Sequence, residues 1–141
     1  MDDSFKPIDQ GLRTAYQATT YQVQSPRFDL RIGEINEALN HWLAAAGFQT
    51  WCIITAYHPG SQQRSFAENE KAQQALIQVV DQAGFPRLPA LNQPDSNIWP
   101  AEPSLMILQC NQEQALAWAG QFGQLAIVYG SLRRAPELLW T

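Results

Sequence analysis

The chain has 141 residues, about the size of one domain, and its 45% hydrophobic content with five Trp and six Phe excludes a disordered polymer and permits a real core. A formal charge of −4 and a pI of about 5.0 exclude the basic surface that nonspecific contact with nucleic acid or an anionic membrane needs. No apolar run reaches membrane-spanning length, and the acidic start MDDSFKPIDQ lacks the apolar core of a signal peptide.

These bounds predict one soluble, cytoplasmic domain over residues 1–141. Its first 18 residues read as an irregular segment or a short helix. Residues 19–33, TTYQVQSPRFDLRIG, alternate Tyr21, Val23, Phe28, Leu30 and Ile32 with polar side chains. That is one half-wet strand, or two short ones divided at Ser25-Pro26. Ile35, Ala38, Leu39, Trp42, Leu43 and Ala46 then recur at helical spacing up to Gly47, which suits the left-handed position after a helix. WCIITAY (51–57) is a nearly unbroken apolar run, the mark of a strand covered on both faces.

Ser65 and Glu68 form the S-x-x-E of a capping box, and Ala72, Leu76, Val79, Val80 and Ala83 continue a helix that stops at Gly84. The proline-rich segment after it predicts a short edge strand at 86–92 and then a loop. SLMILQC (104–110) is a second buried strand, Asn111 caps a third helix ending at Gly123, and QLAIVYG (124–130) is a third inner strand. PELLWT adds a last edge.

From residue 51 onward the order is β-α-β-β-α-β, which predicts an α+β fold with a ferredoxin-like core over about 51–130. An additional N-terminal strand and helix make it a two-layer or three-layer sandwich. A doubly wound sheet is the competing layout, and the proline-rich middle argues against the long crossover helix that it needs.

The stretch TAYHPGSQQRS (55–65) carries the most chemistry. It interrupts a buried strand with turn-forming Pro59-Gly60 and crowds polar residues before a helix amino end, where unpaired N–H groups suit an anion. Four spaced features resemble the small bacterial family DUF3293: Thr55, Ala56, Tyr57, His58, Pro59 and Ser61; Glu68 and Asn69; Glu102, Pro103 and Ser104; and Phe122, Gly123, Gln124 and Ala126. They cover roughly residues 50–130. His58 stands where that family more often has Asn, which weighs against a catalytic role. The resemblance implies a shared fold unit and a shared polar corner, and no activity.

The candidate ligand-binding set is Thr55, Tyr57, His58, Ser61, Arg64, Asn69, Glu102, Ser104 and Gln124, the last joining only if strand directions bring it to the same sheet edge. As a site, the set would take a small anion beside Arg64, with Glu102 holding Arg64 when the site is empty. As plain structure, the same residues pin a turn and cap a helix. Trp42 and Trp51 read as core; Trp99 and Trp140 are candidate interaction residues that equally suit folding back over the sheet. No phosphate loop, dinucleotide fingerprint or nucleophile elbow occurs, and neither His has a His or Cys at metal-ligand spacing. No cofactor and no metal are therefore expected. Cys52, in mid-strand, is badly placed to pair with His58 as a nucleophile. Two functions remain: a noncatalytic accessory or protein-interaction domain, monomer or homodimer, which is preferred, and a domain that binds or transforms a small anionic ligand at the loop 58–65.

Overall fold

The computed structural model describes residues 7–96 and 99–141; residues 1–6 of the N-terminal segment lie outside the described residues. Helix α1 (Pro7–Gln17) leads into a hairpin of β1 (Thr19–Gln24) and β2 (Arg27–Leu30), so the alternating stretch is two strands divided at Ser25-Pro26. Helix α2 (Glu37–Ala46) and strand β3 (Thr50–Ile54) follow. A single 3₁₀ turn (Pro59–Ser61) precedes helix α3 (Phe66–Gln82). Strands β4 (Arg87–Pro94) and β5 (Glu102–Leu108), helix α4 (Gln112–Gln121), and strands β6 (Ala126–Ser131) and β7 (Glu137–Trp140) complete the chain.

The seven strands form one antiparallel sheet in the order β2-β1-β4-β5-β3-β6-β7. The fold is α+β, and the doubly wound alternative, which needs parallel pairs, is excluded by this pairing. The three apolar strands expected to share a sheet lie side by side as β5, β3 and β6. Alternation along them decides how the sheet is covered. Cys52 and Ile54 face one core with Leu76 and Val80 of α3 and Ala115, Trp118 and Ala119 of α4. Trp51 and Ile53 face another with Leu39 and Leu43 of α2 and the hairpin residues Tyr21, Val23, Phe28 and Leu30. Helices therefore cover both faces in three layers.

One strand departs from expectation. Residues 86–92 were expected at an edge because of their prolines; instead β4 is interior, between β1 and β5. The register explains the tolerance. Pairing with β1 spans only Ala90–Pro94, so Pro89 lies where β4 has β5 alone beside it. A missing N–H costs little on a side with no neighbour.

The helix ends follow their capping residues. Ser65 and Glu68 form both bonds of the capping box, and Asn111 with Gln114 forms a second one. Gly47 takes the left-handed conformation at φ 81° that ends α2.

Leu76 is fully buried in the core under α3 and α4, so Leu76→Ala should lower the free energy of unfolding by about 2–5 kcal/mol in chemical denaturation. A loss below about 1 kcal/mol would contradict this packing.

Candidate functional site

Because β3 is antiparallel to both β5 and β6, the end of β3 meets the starts of β5 and β6 at one edge of the sheet. This is why Glu102, Ser104 and Gln124 gather around the segment that leaves β3, and it resolves the open question of Gln124. The extended run stops at Ile54, three residues earlier than the apolar pattern suggests. Residues 55–58 are still buried, yet they are off the ladder, so their backbone groups need partners from elsewhere.

Side chains supply those partners. The Ala56 N–H donates to Gln73 Oε1 at 2.8 Å, and the His58 N–H donates to Asn69 Oδ1 at 2.9 Å. Gln124 Nε2 donates to the Tyr57 carbonyl at 3.1 Å. Thr55 Oγ1 donates to the Pro103 carbonyl at 2.7 Å and accepts from the Tyr57 N–H at 3.1 Å. The turn is then tied down by its backbone: the Gly60 N–H donates to the Gly123 carbonyl at 2.6 Å. A Cβ on Gly123 would stand 2.8 Å from Pro59 Cβ, and its φ of 68° is left-handed, so both contact and conformation require glycine.

The remaining candidates divide. Ser104 hydrogen-bonds Asn92 Oδ1 at 2.7 Å inside the sheet, and Tyr57 donates its hydroxyl to Glu70 at 3.0 Å. Ser61 is exposed with φ 61° in the turn. Arg64 is exposed; its N–H donates to His58 Nδ1 at 3.1 Å, and its charge helps lower the Glu68 carboxyl of the helix cap. The expected Arg64–Glu102 couple does not form. Glu102 accepts instead from Trp99 Nε1 at 2.9 Å, and its Oε2 lies 3.9 Å from His58 Nε2. The helix amino end is likewise occupied: Glu68 accepts from the Ser65 N–H, which holds its carboxyl below the ordinary range, so an incoming anion meets a fixed negative charge. Trp99 packs edge-on against the His58 ring, with centroids 5.1 Å apart. Trp140 packs against Tyr16 of α1 and under the Arg13 guanidinium.

Three participants were missing from the sequence reading: Gln73, Asn92 and Tyr16. Gln73 had a signal. Asn69, Gln73, Leu76 and Val80 are the buried residues of α3, so the apolar stripe continues backward through two polar positions. Asn92 and Tyr16 had none, because they reach the corner through pairing of distant segments. Burial, together with the nearby Glu102 carboxylate, pushes the Tyr16 phenol up to about 12.

Two shallow concavities, of about 300 and about 360 Å³, involve residues 129–137 and the surroundings of Ile35, His41 and Arg133. Both lie toward the end of the sheet where β3 begins, opposite the corner. Among the described residues no group of three or more His, Cys, Asp and Glu is gathered as a metal site would need. Cys52 and Cys110 are buried free thiols in one core, and their proximity and burial push the Cys52 thiol up.

His58 and Glu102 are shifted toward each other. Burial lowers the imidazole from its ordinary 6.5, and burial raises the carboxyl from its ordinary 4.5, the Trp99 N–H partly opposing this. Each shift favours the uncharged form. Their effects on stability are opposite in sign. For His58 the unfolded chain binds the proton more readily, so its contribution is complete above pH 6.5 and is lost as the pH falls through the folded pKa. For Glu102 the folded chain binds the proton more readily, so its contribution is complete below pH 4.5 and is lost as the pH rises through the folded pKa. Glu102→Gln should therefore lose stability more steeply than wild type between pH 6.5 and 4.5, and His58→Asn should gain relative to wild type. Urea midpoints across this window, in both variants, measure the two slopes.

Gly123→Ala and Gly60→Ala form a matched test of the tie between loop and strand. Both sites are left-handed, but only the first lacks room for a methyl group. Gly60→Ala should cost about 1 kcal/mol and Gly123→Ala at least about 2 kcal/mol. Equal losses in denaturant titrations would remove the Pro59 contact from the account.

The family model described as "Protein of unknown function (DUF3293)" matches residues 54–127, just over half of the chain. No curated protein and no solved structure gives a significant match.

Proposed function

The chain belongs to the DUF3293 family, whose description names no activity, and we propose from the geometry of the matched segment that it is a noncatalytic protein-interaction domain. We read β3-α3-β4-β5-α4-β6 as a ferredoxin-like unit that serves as the scaffold. The spatial order β4-β5-β3-β6 with antiparallel neighbours, and α3 and α4 on one face, support that reading. In this proposal the strip 59–66 is the recognition surface, and Trp99 closes the corner behind it.

One observation carries the reading. Phe66 is 75% exposed at the first turn of α3, directly after the pinned loop. An unburied Phe forgoes most of the about 1.5–3 kcal/mol that burial of such a side chain contributes. Nothing in the fold needs an aromatic ring there, because the capping box is made by its neighbours Ser65 and Glu68. Flanked by exposed Gln62, Gln63 and Arg64, it has the form of an apolar anchor with a polar rim. The loop beneath it is held by Asn69, Gln124 and Gly123, so little ordering entropy is lost when it is bound. The partner is then a protein with an apolar pocket.

Phe66→Ser should leave the melting temperature unchanged and weaken capture of the partner by about 30-fold, the effect of losing about 2 kcal/mol. Quantitative pull-down from native cells with wild type and variant measures it. Unchanged capture by the folded variant would overturn the proposal, as would a variant that unfolds, since Phe66 would then be structural.

A further inference from the structure

Beneath the strip, the corner keeps two polar atoms that hydrogen-bond no described residue, His58 Nε2 and Glu102 Oε1. The His58 side chain is 9% exposed and that of Glu102 is 15% exposed, so the pair sits at the rim of the interior. We propose that His58 and Glu102 form a binding site for a carboxamide group, with His58 Nε2 donating to its carbonyl and Glu102 accepting from its N–H. The only contribution of the strip 59–66 to this grip is the Arg64 backbone N–H on His58 Nδ1; Phe66 is not used.

The roles follow from what already holds each side chain. Nδ1 of His58 accepts the Arg64 N–H at 3.1 Å, with the Asn69 amide nitrogen also close, so in the neutral ring the proton sits on Nε2. Nε2 is therefore a donor in either protonation state. The ring cannot turn away: Asn69 holds the backbone of His58 in its left-handed conformation at φ 48°, and Tyr57 and Trp99 flank the imidazole edge-on. Glu102 is oriented in the same manner by the Trp99 N–H on Oε2, and its side chain is 15% exposed. A fixed donor and a fixed acceptor thus stand side by side.

That pair selects by chemistry. An anion is repelled by Glu102, and a cation meets the N–H of His58. A neutral group that accepts and donates at once satisfies both. His58 Nε2 lies 3.9 Å from Glu102 Oε2, the oxygen that accepts from Trp99, so Oε1 is the acceptor left to a ligand. A carboxamide carries its acceptor and its donor on two separate atoms, so it can meet both groups at once.

The sequence has only two His, so loss of a signal in His58→Asn assigns the His58 imidazole by nitrogen-detected NMR. Wild type is titrated with acetamide, with the isosteric anion acetate, and with methylammonium. Acetamide should move the Nε2 resonance saturably in the millimolar range, at least about tenfold more weakly in Glu102→Gln, while the other two leave it in place. A linear response to acetamide up to about 1 M, or saturation by acetate or methylammonium, overturns the proposal. So does equal acetamide affinity in a folded Glu102→Gln; the wild-type comparison decides the matter if that variant is unfolded. Nicotinamide and a capped Gln peptide then separate the sources, the tighter ligand showing whether the amide comes from a small molecule or from a partner's side chain.

Discussion

Four residues that leave a sheet while still buried impose the central constraint on this molecule. Residues 55–58 cannot use a ladder, and a buried amide or carbonyl without a partner costs about 1–3 kcal/mol. The chain meets that requirement with Thr55, Asn69, Gln73 and Gln124, drawn from the segment itself, from α3 and from the start of β6. Among the described residues, six of the seven buried polar or charged side chains belong to this corner: those four with His58 and Ser104. Polarity in the core is thus concentrated around this turn, with Thr19 as the exception.

The same constraint accounts for the spacing of the features within residues 54–127. Asn69 lies eleven positions from the amide it holds, because α3 must begin after the turn and then pass beside it. Gln124 lies 67 positions from the Tyr57 carbonyl, because β6 starts at the sheet edge where β3 ends. Gly123 has no side chain because Pro59 occupies that space. Glu102-Pro103-Ser104 begins β5, where the Pro103 carbonyl accepts from Thr55. Features far apart in the chain are therefore one contact set around one turn. A corner so fully bonded is rigid, which suits the presentation of Phe66 and fixes the imidazole of His58.

Much of this was legible in the sequence, and the reason differs by element. Periodicity located β3, β5, β6 and the three later helices, because their side chains repeat in register with a core on one or both faces. Capping chemistry placed the start of α3 at Ser65 and that of α4 at Asn111, since those bonds are local. The interior position of β4 was hidden: Pro89 reads as an edge residue until the stagger against β1 is known. The partners of Glu102 were hidden for a similar reason. Arg64 is the obvious counter-charge along the chain, but Trp99 is three residues away from Glu102 and reaches it first. Opposite charge proposes a pair; the turn geometry chooses another.

His58 and Glu102 can be set beside the requirements of acid–base work. Acid–base work with a nucleophile requires the base to touch that nucleophile and a third group to orient the base. Here the orienting group is present, since the Arg64 N–H fixes Nδ1 of the ring. Of the two serines in the candidate set, Ser104 is bonded to Asn92 and Ser61 is out in the exposed turn. Burial pushes both titrating groups toward their uncharged forms, and the Trp99 N–H partly opposes this for Glu102. An oriented donor and acceptor beside two aromatic rings are what the proposed carboxamide contact requires, and the bonded loop above them holds Phe66 for the proposed interface.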